Sequence, residues 1–449
     1  MRIAITTLGC KINQYDSAVI QDRLGKEHHS FVPFDERADF YIINTCTVTD
    51  RADWEARQLV RRAKRLSPEA RVLLTGCYAQ VNPGEVARLP GVDFVVGLNR
   101  MDDLLRFVKQ SEEGTCGKGI SVGDVRKERR VAVLGAKELP QHTRAFLKIQ
   151  EGCSYSCTYC IIPTARGFSR SVLPGEVLAQ LRSLAEGGFV EVVLTGIHLG
   201  GYGQDLKPKM DLTSLLEMIV GSGFIPRVRL SSLDPREAPD RLLRLMAQSK
   251  VLCPHLHVCA QAGEDRILRQ MRRNYDTAYY RDVIARAREM LPDAALGSDI
   301  IVAFPGESDG DFSRSMEFFD SLPLTYFHVF PYSVRTGTVA ATLPDQLASA
   351  AKKERARMMR ELGAKKKREF YRRFIGRRLP VLVEQAVDRG SGARKGYTRN
   401  YLPVLVHCGE TYINQEVNVA VEGLEGDWLE GKIVEDEGEK TKRIANFKF

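Results

Sequence analysis

Short, unbroken apolar runs punctuate the first third of the chain: Ile3-Ala-Ile5, Phe40-Tyr-Ile-Ile43, Val72-Leu-Leu74 and Phe94-Val-Val96. Runs that do not alternate with polar residues are the pattern of strands buried on both faces, as parallel strands are. Helical stretches separate them, such as Asp50 to Leu66, which Pro68 closes. This alternation predicts a doubly wound parallel α/β domain over residues 1–135. Residues 97–140 carry Gly114, Gly117, Gly119 and Gly123 among charges and read as a linker, with Cys116 a bystander inside it.

Over residues 140–375 the alternation is more regular. Strand-like blocks at Phe146–Ile149, Val190–Leu194, Arg227–Leu230, Val251–Val258, Ala295–Val302 and Tyr326–Phe330 alternate with helical ones such as Leu212–Val220, Arg236–Met246, Tyr279–Leu291 and Asp311–Phe319. Six such units predict a partial (β/α)6 barrel, with its site at the carboxyl ends of the strands. In the fourth block Cys253, His255, His257, Cys259 and Gln261 fall at every second residue and so share a face. That row reads as barrel interior, because ligands in line along a strand rarely close a tetrahedron. From 379 to 449 shorter strands return at Leu379–Glu384, Tyr401–Val406, Glu416–Val421 and Trp428–Val434, predicting a small β-barrel.

Bulk composition narrows the class. A chain of 449 residues suggests two or three domains, and 43% apolar with 27% charged residues is a globular composition. No apolar run approaches the roughly 18 residues of a membrane span, and no secretion signal is visible, so a cytoplasmic protein is expected. The net charge of +9 favours a polyanionic partner. Residues 351–378 concentrate that excess, with thirteen Lys and Arg against three acids, which suggests a phosphate-facing surface. The loop Arg389-Gly-Ser-Gly-Ala-Arg-Lys-Gly-Tyr-Thr-Arg399 interleaves cations with Tyr397 and Tyr401, a pattern suited to stacking on single-stranded RNA. Glu435-Asp-Glu-Gly-Glu439 runs the other way and would suit a basic protein substrate.

Ten cysteines without an export signal point to metal or redox chemistry rather than disulfides. Three of them, Cys153, Cys157 and Cys160, fall within eight residues. Thiolates are the usual ligands of iron–sulfur clusters and a full set is four, so three leave one iron open to a small molecule. A second set is dispersed: Cys10, Cys46 and Cys77 each follow a predicted parallel strand, which places them along one sheet edge, where open α/β sheets bind ligands. Again there are three. The pairing of two incomplete sites suggests sulfur insertion.

The spacing Cys153-x3-Cys157-x2-Cys160 resembles the signature of radical S-adenosylmethionine (SAM) enzymes, whose open iron chelates the methionine part of SAM. Thr7-Leu-Gly-Cys-Lys-Ile-Asn-Gln-Tyr-Asp-Ser17, Asn44-Thr-Cys-Thr-Val48 and Thr75-Gly-Cys-Tyr-Ala-Gln80 are similar to the N-terminal domain of the radical-SAM methylthiotransferases. The Leu-Gly-Cys-Lys-Ile-Asn form is most similar to the branch acting on N6-threonylcarbamoyladenosine in tRNA. The resemblance implies two 4Fe–4S clusters, on Cys153, Cys157 and Cys160 and on Cys10, Cys46 and Cys77. It sets Thr195 and Gly196 at the SAM amino group, Ser231 and Ser232 at its ribose or carboxylate, and Ile301 to Phe304 along the adenine, with Gln261 also among the cofactor-binding residues. The chain departs from the family where Cys259, Ala260 and Ala262 replace serines around Gln261, and where Val334 and Thr336 replace prolines. The C-terminal barrel is similar to a TRAM domain.

The implied reaction is sulfur insertion and methylation at C2 of the modified adenosine beside the anticodon. Its implied partners are a tRNA anticodon stem-loop, a flavodoxin-like or other electron donor and a sulfur donor; no side-chain acid or base is required. The same chemistry on isopentenyladenosine tRNA, or on a ribosomal-protein aspartate, stands as an alternative. An RNA-binding iron–sulfur redox sensor without turnover is an alternative of another class.

Overall fold

The computed structural model describes residues 1–115, 117–131 and 143–434, so Cys116 and the acidic run 435–439 lie outside the described residues. The first sheet is six-stranded and parallel throughout. Its strands are β1 (Arg2–Thr7), β2 (Ser30–Val32), β3 (Phe40–Thr45), β4 (Arg71–Gly76), β5 (Phe94–Val96) and β6 (Gly119–Ser121), in the order β2-β1-β3-β4-β5-β6. Every residue of β3 is buried, as its unbroken apolar run requires. The helix Asp50–Leu66 has the predicted limits, and the Thr49 side chain caps it by accepting from the Ala52 amide.

The linker reading of 97–140 is corrected over its described part. A helix, Met101–Glu112, packs Leu104, Phe107 and Val108 inward, and β6 extends the sheet by one edge strand. An edge strand of three residues shows little apolar periodicity. Gly119 there serves packing: a Cβ on it would stand 2.7 Å from the Phe107 ring.

Six parallel strands follow: β7 (Arg144–Glu151), β9 (Glu191–Gly196), β10 (Arg227–Leu230), β11 (His255–His257), β12 (Ala295–Val302) and β13 (Tyr326–Pro331). The short β8 (Arg170–Ser171) lies antiparallel on β7. Strands β7, β9 and β10 pair side by side, as do β11, β12 and β13, and isolated bridges Val228↔Leu252 and Leu233↔Val258 join the two groups. Among the described residues β13 and β7 do not pair, so this is a partial barrel with one open side. The fourth strand is shorter than predicted because Pro254 lacks the amide a ladder needs.

The helix Ser349–Arg372 packs on β13 and leads into a closed barrel of β14 (Arg378–Val387), β15 (Arg394–Thr398), β16 (Pro403–Val406), β17 (Glu416–Glu425) and β18 (Trp428–Ile433). Two expectations change here. Many cations of 351–378 have acidic partners within the protein: Arg355 with Glu307 and Asp309, Arg357 with Glu354 and Glu361, Lys367 with Asp427, and Arg377 with Asp293. These pairs tie part of the run to the protein itself, within the helix through Arg357 and to the C-terminal barrel through Lys367. The expected RNA-stacking tyrosines also face protein. Tyr397 and Tyr401 stack at 5.1 Å, with the Arg144 guanidinium 4.5 Å from the Tyr397 ring centroid and that of Arg229 4.6 Å from Tyr401. Arg394 binds the Gln385 carbonyl and Glu410. Among the described residues, no helix is long and apolar enough to cross a membrane.

Candidate functional site

The order of the first sheet puts its switch point between β1 and β3, and Cys10 and Cys46 follow those two strands. Gly9 makes the approach possible: at φ +102°, a Cβ there would lie 2.7 Å from Cys46 Cβ and 3.0 Å from its Sγ. Cys77 opens the short helix after β4, behind Gly76 at φ +92°. The three thiols lie within electrostatic reach of one another. Burial pushes Cys77 up to about 12, against the pull of the Arg166 guanidinium. Cys46 and Cys77 are buried and Cys10 is exposed, so the triad has one open side; thiols bind a metal as thiolates, and a bound cation displaces their protons.

Arg166 ends the helix Ile162–Arg166, just beyond Cys160. Its Nε lies 3.3 Å from Cys77 Sγ, while the guanidinium also donates to Glu151 (2.8 Å), Asn13 (2.7 Å) and Asp16 (3.0 Å). Lys148 completes this buried set with 2.7 Å bonds to Asp16 and Glu151. One arginine thus ties the loop of the second cysteine triad to a ligand position of the first.

Cys153, Cys157 and Cys160 occupy the loop leaving β7 and are half-buried. Gly152, at φ +72°, runs so close to the Phe168 carbonyl that a Cβ would lie 2.1 Å from its oxygen. The Tyr155 amide points at Cys153 Sγ (3.4 Å), and Arg273 donates to Cys157 Sγ (3.2 Å) while paired with Asp234. Burial raises Cys160 to about 12. For His198, burial opposes the charged form, but Cys153 and Glu237 prevail and lift it to about 10. Basic donors around both triads compensate thiolate charge.

Thr195, Gly196, Ser231, Ser232, Gln261 and Ile301 all come to the carboxyl-end region of the barrel strands. Ser231 is buried with its hydroxyl unpartnered, as a missing ligand would leave it. Gln261 adopts φ +64°, a left-handed conformation costly for a side-chain-bearing residue, pinned by its amide to Asp299 O and its carbonyl to the Ile301 amide. Phe304 is fully buried, its ring centroid 5.5 Å from that of Tyr332.

The Cys/His row of β11 is barrel interior, and its polar members are wired to neighbouring strands. His257 Nε2 lies 3.0 Å from Asp299 Oδ1, and His328 Nδ1 lies 3.2 Å from the same oxygen. His257, Asp299 and His328 each offer a ligand atom within 4.8 Å of the others. A metal-capable group thus arises across three strands, which the spacing along one strand does not reveal.

The model described as uncharacterized protein family UPF0004 matches residues 2–97, and that of the radical SAM superfamily matches residues 147–319. The threonylcarbamoyladenosine tRNA methylthiotransferase MtaB of Bacillus subtilis is 36% identical, covering 99% of this chain and 99% of that protein. The chain belongs to the radical SAM methylthiotransferases. A tRNA-2-methylthio-N(6)-dimethylallyladenosine synthase of Pelotomaculum thermopropionicum is 34% identical over 93% of this chain and 94% of its own. The radical S-adenosylmethionine methyltransferase TsrM of Kitasatospora setae shares the fold, with a TM-score of 0.53 at 14% identity over 80% of this chain and 85% of its own. As a radical SAM methylthiotransferase this enzyme has SAM and two 4Fe–4S clusters as cofactors. The donor sets fit: two groups of three thiols, each one ligand short of a full set, with an orphaned hydroxyl beside the barrel site.

Proposed function

We propose that this enzyme methylthiolates C2 of N6-threonylcarbamoyladenosine beside the anticodon of tRNA. The observation that carries this reading is the pairing of two three-thiol sites, bridged by Arg166 between Cys77 and the loop of Cys153, Cys157 and Cys160. The substrate branch is supported by the name of the Bacillus subtilis relative, which aligns almost end to end. When bound, the clusters and SAM supply the radical, the sulfur and the methyl group. The protein's share is to hold and position. Cys153, Cys157 and Cys160 retain one cluster, with Arg273 and His198 balancing their charge. Cys10, Cys46 and Cys77 retain the other, with Arg166 in the same role. Thr195, Gly196, Ser231, Ser232, Gln261 and Ile301 seat SAM. The anticodon stem-loop is the part of the tRNA engaged, a flavodoxin-like protein or other reductant supplies electrons, a separate donor supplies sulfur, and the enzyme works in the cytoplasm.

The test is anaerobic turnover of the reconstituted enzyme with SAM, reductant and tRNA carrying the threonylcarbamoyl group, followed by mass spectrometry of the nucleosides. The 2-methylthio product is expected. Its absence, with isopentenyladenosine tRNA or a ribosomal protein modified instead, would move the assignment to that substrate. Absence of SAM cleavage under reduction would leave an RNA-binding redox sensor.

A further inference from the structure

The two faces of β13 are covered differently. Phe327 and Val329 point outward: the Phe327 ring lies 5.6 Å from that of Phe319 and meets the helix Ser349–Arg372 at Gly363, and Val329 is buried. The alternate residues point into the partial barrel. Tyr326 bonds His255 (2.8 Å) and His257 (3.1 Å), and His328 Nδ1 lies 3.2 Å from Asp299 Oδ1 with its ring 4.9 Å from that of His257. Phe330 continues this inner row. Yet its last two members stay open: the His328 side chain is 57% exposed and Phe330 is 40% exposed, and Phe330 makes no ring contact among the described residues.

Strand register puts this open pair at the site. Phe330 lies opposite Ile301, each one residue from the end of its strand, and His328 lies opposite Asp299. Because β13 does not pair with β7, the open side of the barrel runs along it. A single exposed apolar side chain on an outer surface needs no explanation. An unpaired aromatic ring at the mouth of a barrel, with a polar side chain next in its row, has the make-up of a ligand site. The hydrogen bond behind His328 fixes what it offers. Asp299 can only accept, so in the neutral ring the proton sits on Nδ1, and Nε2 is left as a bare acceptor facing the barrel.

We propose that Phe330 and His328 seat the target nucleoside, Phe330 stacking on its purine and His328 Nε2 accepting a hydrogen bond from an N–H or hydroxyl of its N6 substituent. This rests on the substrate reading above. Side chains two apart on one strand face stand about 6–7 Å from each other, which matches the reach from a stacked purine to a group carried on its N6. Stacking tolerates any base, so Phe330 supplies grip and His328 supplies choice. A threonylcarbamoyl group carries N–H and hydroxyl donors for Nε2, whereas an isopentenyl group carries none and would leave that acceptor unpaired.

The experiment uses the reconstituted holoenzyme under anaerobic conditions and measures its binding to anticodon stem-loop RNAs. The target position holds threonylcarbamoyladenosine, plain adenosine or an abasic sugar. Iron content and the urea midpoint of each variant, both expected to match wild type, check that it is folded and loaded. Phe330→Ala should weaken binding of the two RNAs that carry a base about five- to a hundredfold, and leave the abasic RNA within about twofold of wild type. Phe330→Trp, which keeps a stacking face, should retain the affinity. His328→Ala should weaken binding of the threonylcarbamoyl RNA about three- to tenfold, with plain-adenosine RNA bound as before. His328→Gln, which keeps an acceptor, should recover most of that loss. The proposal is overturned if Phe330→Ala binds all three RNAs as wild type does or weakens the abasic RNA as much as the others. It is equally overturned if His328→Ala treats the threonylcarbamoyl and plain-adenosine RNAs alike. A wild type that binds none of the stem-loops would instead remove the tRNA reading, and this proposal with it.

Discussion

Glu191→Gln should loosen the C-terminal barrel from the rest of the enzyme. Glu191 is 0% exposed and binds Arg227 at 2.8 Å and Arg229 at 2.9 Å. Arg227 has a second carboxylate in Glu416 (2.6 Å), whereas Arg229 has no other carboxylate partner among the described residues. Both guanidiniums then donate to backbone carbonyls of the C-terminal barrel, Arg227 to Tyr397 and Arg229 to Thr398 and Arg399. Removing the central charge leaves Arg229 buried without a counter-ion, a loss of about 3–5 kcal/mol. The titration of Glu191 gives a figure of the same size. Burial raises its pKa, but Arg229 and Arg227 outweigh burial and hold it at about 2, against an ordinary 4.5, a gap of about 3 kcal/mol. The sign follows: a carboxyl held low contributes fully above pH 4.5, and the contribution drains as pH falls toward about 2. Wild type and variant should therefore converge over that interval. Urea unfolding followed by Trp428 fluorescence, in a Trp54→Phe background, reads the C-terminal barrel alone, since the chain has two tryptophans. Adding Arg229→Met should recover at least half of the loss. A Glu191→Gln penalty under about 1 kcal/mol at neutral pH would mean that Arg229 does not depend on this carboxylate.

Replacing Cys153, Cys157 and Cys160 by Ala should halve the iron, from about eight per chain, and abolish SAM cleavage, whereas the same change at Cys10, Cys46 and Cys77 should halve the iron but spare cleavage while removing the methylthio product. Iron analysis and 5′-deoxyadenosine assays check both, and cleavage by the first variant would contradict the assignment. Gln261→Gly relieves a left-handed backbone and should gain up to about 1 kcal/mol of stability while weakening SAM binding about tenfold or more; unchanged SAM affinity would remove Gln261 from the site. Tyr401→Ala should lower the stability of the C-terminal barrel without changing the salt slope of tRNA binding, because the ring faces Arg229 and His255 rather than solvent; a base-stacking loss of about 1–3 kcal/mol in tRNA affinity, with stability intact, would restore the RNA-facing reading.

The buried strands of both α/β units were legible because a strand covered on both faces has to be apolar throughout, as β3 is. The triad of Cys153, Cys157 and Cys160 was legible from its spacing within eight residues, and that of Cys10, Cys46 and Cys77 for a topological reason: parallel strands bring their carboxyl ends to one edge, whatever the sequence separation. Edge strand β6 and its glycine were not, since packing against Phe107 leaves no trace in local periodicity. Nor were the groups that tune the thiols. Arg166 meets Cys77 across 89 residues and Arg273 meets Cys157 across 116, and nothing in a chain of 66 cations distinguishes those two. The tyrosines of the C-terminal barrel were misassigned for a related reason. Cations interleaved with aromatics suit RNA, but Arg144 and Arg229 supply the same complementarity from within.

The buried seam of Glu191, Arg227 and Arg229 makes the C-terminal barrel a fixed wall rather than an arm on a tether. If the substrate is the proposed anticodon loop, a fixed wall does not close around it, and the RNA is the partner that changes shape. On that reading its target nucleotide would leave the stack to reach the carboxyl ends of the partial barrel's strands, and extrusion is least costly, a few kcal/mol or below, for a base that is already unpaired. Accessibility of the nucleotide thereby becomes part of substrate choice, alongside the chemistry of its N6 group. Stem-loops in which an added base pair tightens the loop should be modified more slowly than relaxed ones, even when both carry the same nucleoside.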